Sequence, residues 1–318
     1  MDRRSGHLLD PELAQWIGDR PAMQWSLETL PAIRAGMDAM VRAPVTPRVA
    51  VLTGRVEIAG PDQAAPVRIL TYRPRDATGP LPAILHLHGG GYVGGSPESR
   101  DGVNTQLAAE LGCAIFAVGY RLAPETRFPG AVEDAYAALA WLHGHAEELG
   151  IDPRRIGVKG ESAGGGLAAA LGLLARDRGR FMPAFQHMTA PMLDDRTGAT
   201  ADPQPFAGEF GWTAQANAFA WSCLLGEEPG GADTSPYAAP ARAPDLAGLP
   251  AAYIAVGALD LFIHENLTYA QRLIAAGVPV ELQVYPGAVH GFDWAETTAV
   301  ALRYRRNSIE ALARLLRA

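Results

Sequence analysis

Three things are scarce in this chain of 318 residues. Cysteine occurs only twice, as Cys113 and Cys223, in neither C-x-x-C nor metal-ligand spacing, so the sequence offers no disulfide framework and no zinc site. Both read as small apolar fillers. Positive charge is not in excess: 27 Lys plus Arg stand against 34 Asp plus Glu, a formal charge of -7. Such a chain has no basic surplus to release counterions from a phosphate backbone, which argues against a nucleic-acid partner. The cluster Arg303, Arg305, Arg306 reads as a solvated helix face. Long apolar runs are missing too. The longest, Leu167 to Ala175, falls far short of the ~18 residues of a membrane span. Behind Arg3 and Arg4, the acids Asp10, Glu12 and Asp19 interrupt any signal-like apolar region. These absences predict a soluble, cytoplasmic protein with no membrane partner.

What is present points to a packed core. Apolar residues make up 48% of the chain, and 35 Gly with 25 Pro suit a fold with many tight strand-to-helix turns better than a helical bundle. Residues 1–45 carry apolar side chains at helical spacing (Leu13, Trp16, Ile17; Leu30, Ile33, Met37, Met40), with Pro21 and Pro31 as breaks and Pro44 and Pro47 closing the segment. VAVLTGRVEI and PVRILTYRP then alternate like two antiparallel strands joined at Gly60-Pro61-Asp62, the start of a sheet edge. From Leu81 the strands become short continuous apolar runs, as expected of parallel strands buried on both faces: Ala83 to Leu87, Ala114 to Tyr120, Arg155 to Lys159, Phe185 to Met192, Ala252 to Val256 and Val280 to Tyr285. In such an α/β sheet ligands bind at the C-terminal rim. One connection, from Asp194 to Pro250, is too long for a plain loop and is rich in aromatics (Phe206, Phe210, Trp212, Phe219, Trp221), which predicts a helical insertion over that rim.

The sharpest chemical signal is Gly160-Glu161-Ser162-Ala163-Gly164, a G-x-S-x-G that follows a strand and opens an Ala/Leu-rich helix. Glycine on both flanks suits a turn sharp enough to present a serine alone as nucleophile; a helix N-cap serine is the plainer reading. A serine hydroxyl needs a base, and the base needs an acid to fix its tautomer. Downstream, YIAVGALDLF puts Asp260 and QVYPGAVHGF puts His290 each just beyond a strand, in the chain order Ser, Asp, His. Asp194 is the runner-up acid, with an anchor for Arg196 as its alternative role; Asp195, Glu265 and Asp293 are further carboxyls near the set. Glu161 is expected to make structural hydrogen bonds. His88-Gly89-Gly90-Gly91 follows the first parallel strand, so the amides of Gly90 and Gly91, with Ala163 as third donor and Gly89 as neighbour, form the expected oxyanion hole. His88 is expected to fix that loop through the backbone.

With these motifs in place, the chain resembles the bacterial hormone-sensitive-lipase family of α/β-hydrolase carboxylesterases. The resemblance runs from about Leu81 to the end, through LHLHGGGYVGGS, YRLAPETRFPGAVEDAYAAL, GESAGGGLAAAL, APMLDDRT, DLAGLPAAYIAVGALDLF and YPGAVHGF. It implies an α/β-hydrolase fold: an eight-stranded, mostly parallel sheet with the second strand antiparallel, flanked by helices. It also implies a cap built from residues 1–45 and an insertion at about 196–235 of a catalytic domain spanning 46–318. Where many members have Asp-Pro-Leu-x-Asp around the acid, this chain has Asp260-Leu261-Phe262-Ile263-His264. The implied activity is hydrolysis of short- to medium-chain acyl esters by Ser162, His290 and Asp260, with no cofactor and no metal, and homodimers through the last strand.

Three other readings compete. The same machinery serves amides, carbamates or lactones. A ligand-binding protein on the same fold would keep the pocket without turnover. A dinucleotide-binding oxidoreductase would use Gly89-Gly90-Gly91-Tyr92-Val93-Gly94 as G-x-G-x-x-G, but Tyr120-Arg121 stands where its ribose-binding acid belongs.

Overall fold

The computed structural model describes residues 4–18, 23–39, 50–200 and 204–317; Arg3, Pro21, Met40, Pro44 and Pro47 lie outside the described residues. The helical spacing near the N-terminus forms Pro11–Ile17 (α1) and Leu30–Ala39 (α2). Pro31 does not break α2. It sits at the second helical position, where no intrahelical amide is needed.

The alternating segments form Val51–Ile58 (β1) and Val67–Pro74 (β2), antiparallel from Val51 opposite Pro74 to Ile58 opposite Val67, joined through a 3-10 turn at Pro61–Gln63. The continuous apolar runs form Leu81–Leu87 (β3), Ala114–Gly119 (β4), Ile151–Glu161 (β5), Phe185–Thr189 (β6), Ala251–Gly257 (β7) and Val280–Tyr285 (β8). Most bounds fall within two residues of the sequence reading, and two differ by more. β5 starts at Ile151, which pairs with Leu81 across a register shift. β6 stops at Thr189 and not at Met192, because Ala190 takes a left-handed φ of 44° and Pro191 has no amide to donate.

Among the described residues the eight strands form one sheet in the order β1-β2-β4-β3-β5-β6-β7-β8, with β2 antiparallel to both neighbours and all pairs from β3 to β8 parallel. This is the α/β-hydrolase sheet. Asp101–Leu111 (α3) and Ala299–Leu315 (α8) pack on one face; Gly130–Gly144 (α4), Ala163–Arg178 (α5) and Ile263–Ala275 (α7) contribute to the larger core on the other. Cys113 and Cys223 are free and buried, as apolar fillers are. Arg303, Arg305 and Arg306 are exposed. No described helix is long and apolar enough to cross a membrane.

The insertion is less helical than its length suggests. Among the described residues between Asp194 and Pro250 it holds one α-helix, Ala214–Leu225 (α6), and a 3-10 turn at Pro240–Arg242. The rest is irregular chain tied by side chains. Asp195, wholly buried, accepts from the Gly230 amide (2.7 Å), the Thr234 hydroxyl (2.9 Å) and Arg242. The N-terminal segment meets α6 where Trp25 and Gln215 exchange hydrogen bonds between amide and backbone.

Gly157 on β5 is opposite Ile84, and the ring of Phe185 fills the space a Cβ there would need. Gly157→Ala is therefore expected to lower stability by about 1–3 kcal/mol, the usual cost of overpacking. It would read as a lower urea midpoint at unchanged slope. An unmoved midpoint would mean that Phe185 swings aside freely.

Candidate active site

The sheet order creates the site. β3 is followed by β4 on one side, and the chain then returns to β5 on the other, so β3 and β5 are the adjacent strands at which the connections diverge. Ligands settle at such a switch point in open α/β sheets. Here the end of β3 carries Gly89, Gly90 and Gly91 and the end of β5 carries Ser162, while β7 and β8, paired two strands away, carry Asp260 and His290 just beyond their ends.

Ser162 stands at the N-cap of α5 with φ 56° and ψ -121°, a conformation strained for a residue with a side chain. The turn is pinned by backbone bonds: the Ser162 amide donates to Thr189 O (2.8 Å), and Ser162 O accepts from Gly166 and Met192 (3.0 Å each). A Cβ at Gly160 would overlap the Gly164 carbonyl, and one at Gly164 would overlap the carbonyls of Leu87 and His88. Both flanks must be bare.

The Ser162 hydroxyl lies 2.9 Å from His290 Nε2, and His290 Nδ1 lies 2.8 Å from Asp260 Oδ2. With the carboxylate accepting from Nδ1–H, Nε2 is left as an acceptor for the hydroxyl. Asp260 is fully buried, and its other oxygen accepts from the Phe262 amide (2.9 Å), which fixes the carboxylate plane. Burial works against a charged imidazole at His290, but the Asp260 carboxylate outweighs it, and Asp293 adds to the same side; the net effect raises the pKa. The edge of the Phe262 ring meets the imidazole at 5.1 Å between centroids.

Opposite the hydroxyl, Gly90 and Gly91 adopt φ of 126° and 63°. No acceptor among the described residues takes their amides. Ala163 is the first residue of α5, so its amide is one of the helix's orphan donors, at the positive end of the dipole. Gly89 packs against the Glu161 carbonyl. His88 Nδ1–H donates to Gly89 O (2.9 Å) and its ring stacks on Tyr120, whose hydroxyl donates to His88 O (2.6 Å). The histidine therefore braces the loop through the backbone.

The remaining carboxyls have other partners. Asp194 forms a two-point pair with Arg196. Glu265, buried, accepts from the Leu193 amide (2.7 Å) and the Thr197 hydroxyl, and burial holds its carboxyl well above the usual range. Glu161 pairs with Lys159, the chain's one lysine, and with His86 Nε2 (2.9 Å). Burial alone would raise its pKa; Lys159 and His86 hold it well below the ordinary value. The aromatic wall of the site is Trp212. Its ring centroid is 6.2 Å from that of His290, a Cβ on Gly91 would sit 2.5 Å from its Cη2, and its Nε1–H donates to Asn217 Oδ1 (3.1 Å). Trp25 packs on it edge-on at 5.1 Å. The sequence marks Trp212 only as one of five aromatics in the insertion, of which Phe206 is exposed. Lys159 and His86, which bond Glu161, and Arg100, which lines the same cavity, are not marked by the sequence as site residues. The stretch Gly89 to Gly94 does not open a helix: a 3-10 turn at Pro97–Arg100 intervenes before α3. Among the described residues no group of three His, Cys, Asp or Glu side chains is placed to hold a metal.

Comparison with known proteins agrees with this architecture. Residues 84–293 match a family described by its alpha/beta hydrolase fold. The chain is 34% identical over 290 residues to the esterase LipI of Mycobacterium tuberculosis, covering 89% of this chain and 88% of that protein. It is 36% identical over 230 residues to an ethyl acetate hydrolase of Pseudomonas putida, 71% of each chain. Among solved structures, a bacterial heroin esterase superposes with a TM-score of 0.90 at 42% identity over 98% of this chain and 99% of that one.

The strain at position 162 can be measured without turnover. Ser162→Gly and Ser162→Ala both lack the hydroxyl, but only glycine relaxes the positive φ. Ser162→Gly is expected to be more stable than Ser162→Ala by about 1 kcal/mol, after allowing for glycine's larger entropy loss. Equal or reversed melting temperatures would show an unstrained turn.

Proposed function

Because this chain belongs to the alpha/beta-hydrolase-fold family, and within it to the bacterial hormone-sensitive-lipase carboxylesterases, we propose that it hydrolyses short- to medium-chain acyl esters through a Ser162–His290–Asp260 triad and a covalent acyl-enzyme. The observation that carries this reading is the unbroken relay from hydroxyl to imidazole to buried carboxylate, facing amides that have no acceptor.

In the first step the Ser162 oxygen attacks the ester carbonyl carbon while His290 Nε2 takes its proton, and Asp260 stabilises the imidazolium that forms. The negative oxygen of the tetrahedral intermediate rests among the amides of Gly90, Gly91 and Ala163, with Gly89 beside them; each such donor is typically worth about 10²- to 10³-fold in rate. The carbon–oxygen bond to the alcohol then breaks, and the alcohol leaves with the proton from His290. Water repeats the sequence on the acyl-enzyme: His290 takes its proton, hydroxide adds to the carbonyl, and Ser162 departs protonated.

We read α2 and the insertion carrying α6 as the cap that closes this site. Trp212 stands against the oxyanion loop with Trp25 behind it, which leaves room for small acyl or alcohol groups and favours neutral, apolar ones.

Three experiments test the reading. A fluorophosphonate label should map to Ser162 and be lost in Ser162→Ala. With a short aryl ester as substrate, Asp260→Asn should lower turnover about 10⁴-fold by fixing the wrong tautomer, while Asp194→Ala, which breaks only the pair with Arg196, stays within about twofold. Labelling elsewhere, or an Asp194 loss matching that of Asp260, would overturn the assignment. Across a series of aryl esters of rising acyl length, Trp212→Ala should raise kcat/KM for eight-carbon over four-carbon chains by about tenfold or more. An unchanged ratio would remove Trp212 from the specificity wall.

A further inference from the structure

Behind the reacting pair, on the side of the sheet covered by α3 and α8, lies a small cavity lined by charged side chains that the mechanism above does not use, among them Arg100, Lys159, Glu161 and Asp293. Arg100 is the link between them. It closes the 3-10 turn that follows the glycine loop and is only 7% exposed. Its guanidinium donates to Asp293, and its Cζ lies 4.0 Å from the ring centroid of Trp294. Those two residues come three and four positions after His290, in the 3-10 turn Phe292–Trp294. The turn's own holds are backbone bonds from Phe292 N to Val289 O (3.2 Å), Trp294 N to Gly291 O (3.1 Å) and Ala295 N to Phe292 O (3.0 Å), and the buried Phe292 ring against Tyr285 and Tyr304; Arg100 adds the hold on Asp293 and Trp294. On its other flank Arg100 lines the same cavity as Glu161, the residue before Ser162, whose negative charge favours the guanidinium.

We infer that Arg100 is a positioning residue shared by both halves of the reacting pair: through Asp293 and Trp294 it fixes the turn that carries His290, and beside Glu161 it braces the strand end that carries Ser162. The inference rests on the triad reading above. A buried ion pair adds little stability over apolar side chains of the same volume, so its retention here has a geometric and electrostatic use. The planar fork meets one carboxylate and lies over one ring at once, which an ammonium cannot do.

The same arrangement sets the field at the base. His290 is faced by the Asp260 carboxylate from the end of β7 and by Asp293 from its own turn; Trp212 from the insertion and Phe262 from the start of α7 present uncharged rings, and the hydroxyl of Ser162 comes from the elbow. Behind Asp293 stands Arg100, and behind Ser162 the Glu161–Lys159 pair, with His86 on Glu161. Asp293 favours the charged imidazole, and Arg100 offsets it. Since His290 works as a base only when neutral, the acid limb of kcat/KM follows its pKa.

The test is a set of three variants read in two ways: the acid limb of kcat/KM on a short aryl ester, and the His290 imidazole titrated by NMR in a Ser162→Ala background, where no turnover is needed. Asp293→Asn removes the anion and should move the His290 transition down by about half a pH unit or more; Arg100→Gln keeps a hydrogen bond to Asp293 but removes the cation, and should move it up by a similar amount. Arg100→Lys keeps the charge but loses the fork and the ring contact, so the transition should hold while kcat falls about tenfold or more. A purely structural role predicts losses of folding or kcat with no opposite movement of the transition. Shifts of the same sign, no shift, or an Arg100→Lys variant with full kcat would overturn the inference. Absence of turnover by the parent enzyme on every ester, with the NMR shifts intact, would sink the proposed function and leave the positioning intact.

Discussion

No side chain fits between residue 164 and the carbonyls of Leu87 and His88, and much of the site follows from that closeness. The N-terminus of α5 must come down on the end of β3, and the only path from β5 into the helix is a turn so tight that Ser162 takes a positive φ. The approach brings the Ala163 amide beside the glycine loop after β3, so the hydroxyl and the donors opposite it are products of one packing contact. Because the first thirteen residues of α5 are all buried, the helix is gripped along that length by the core and holds the strained turn in place. Local strain of about 1–3 kcal/mol persists only where surrounding structure over-determines it.

Beneath this turn the protein buries charge, which is costly unless every charge is matched. Glu161 meets Lys159 and His86, His86 Nδ1 meets the Asn104 amide (3.0 Å), and Arg100 pairs with Asp293 in the cavity that Glu161 also lines. A ladder of charges of alternating sign therefore runs from Lys159 and Glu161 on β5 through Arg100 to Asp293 in the His290 turn, with the His86 ring of β3, which burial keeps from charging, bonded to Glu161. Hydrogen bonds in a low-dielectric interior are stiff, and a base must stand within a few tenths of an ångström of the hydroxyl it serves. The ladder ties together three loops that the sheet alone would leave independent.

Sequence legibility followed local determinants. The alternation in β1 and β2, the continuous runs of β3 to β8 and the Gly-x-Ser-x-Gly turn are written in neighbouring residues and so are readable; Ser162, Asp260 and His290 stand out as candidates because each follows a strand. The end of β6 was misplaced since Ala190 and Pro191 look apolar, and what stops the strand is a backbone angle. Pro31 reads as a break in the sequence, although at the start of a helix proline costs nothing. Arg100 is invisible for a different reason: its partner Asp293 lies 193 positions along the chain and is recognisable only once the fold has brought the two together.

The insertion was the least legible region, because its shape depends on polar bonds to distant segments. Thr197 donates its hydroxyl to buried Glu265, its carbonyl accepts from Asn217 (2.8 Å), and Asn217 accepts from the Trp212 indole. Glu265 lies in the first turn of α7, five residues beyond Asp260, and its carboxyl also takes the Leu193 amide at the insertion's root. The ring that walls the site is thus held, through three side chains, by the same helix start that positions the acid. An aromatic stripe resting on apolar contacts alone could slide along the rim. One held by a buried chain of donors and acceptors cannot move without leaving a polar group unmatched in the interior, at a cost of about 1–3 kcal/mol. The width of the opening over Ser162 is therefore governed less by the count of aromatic residues in the insertion than by a threonine, an asparagine and a glutamate, none of which touches the site.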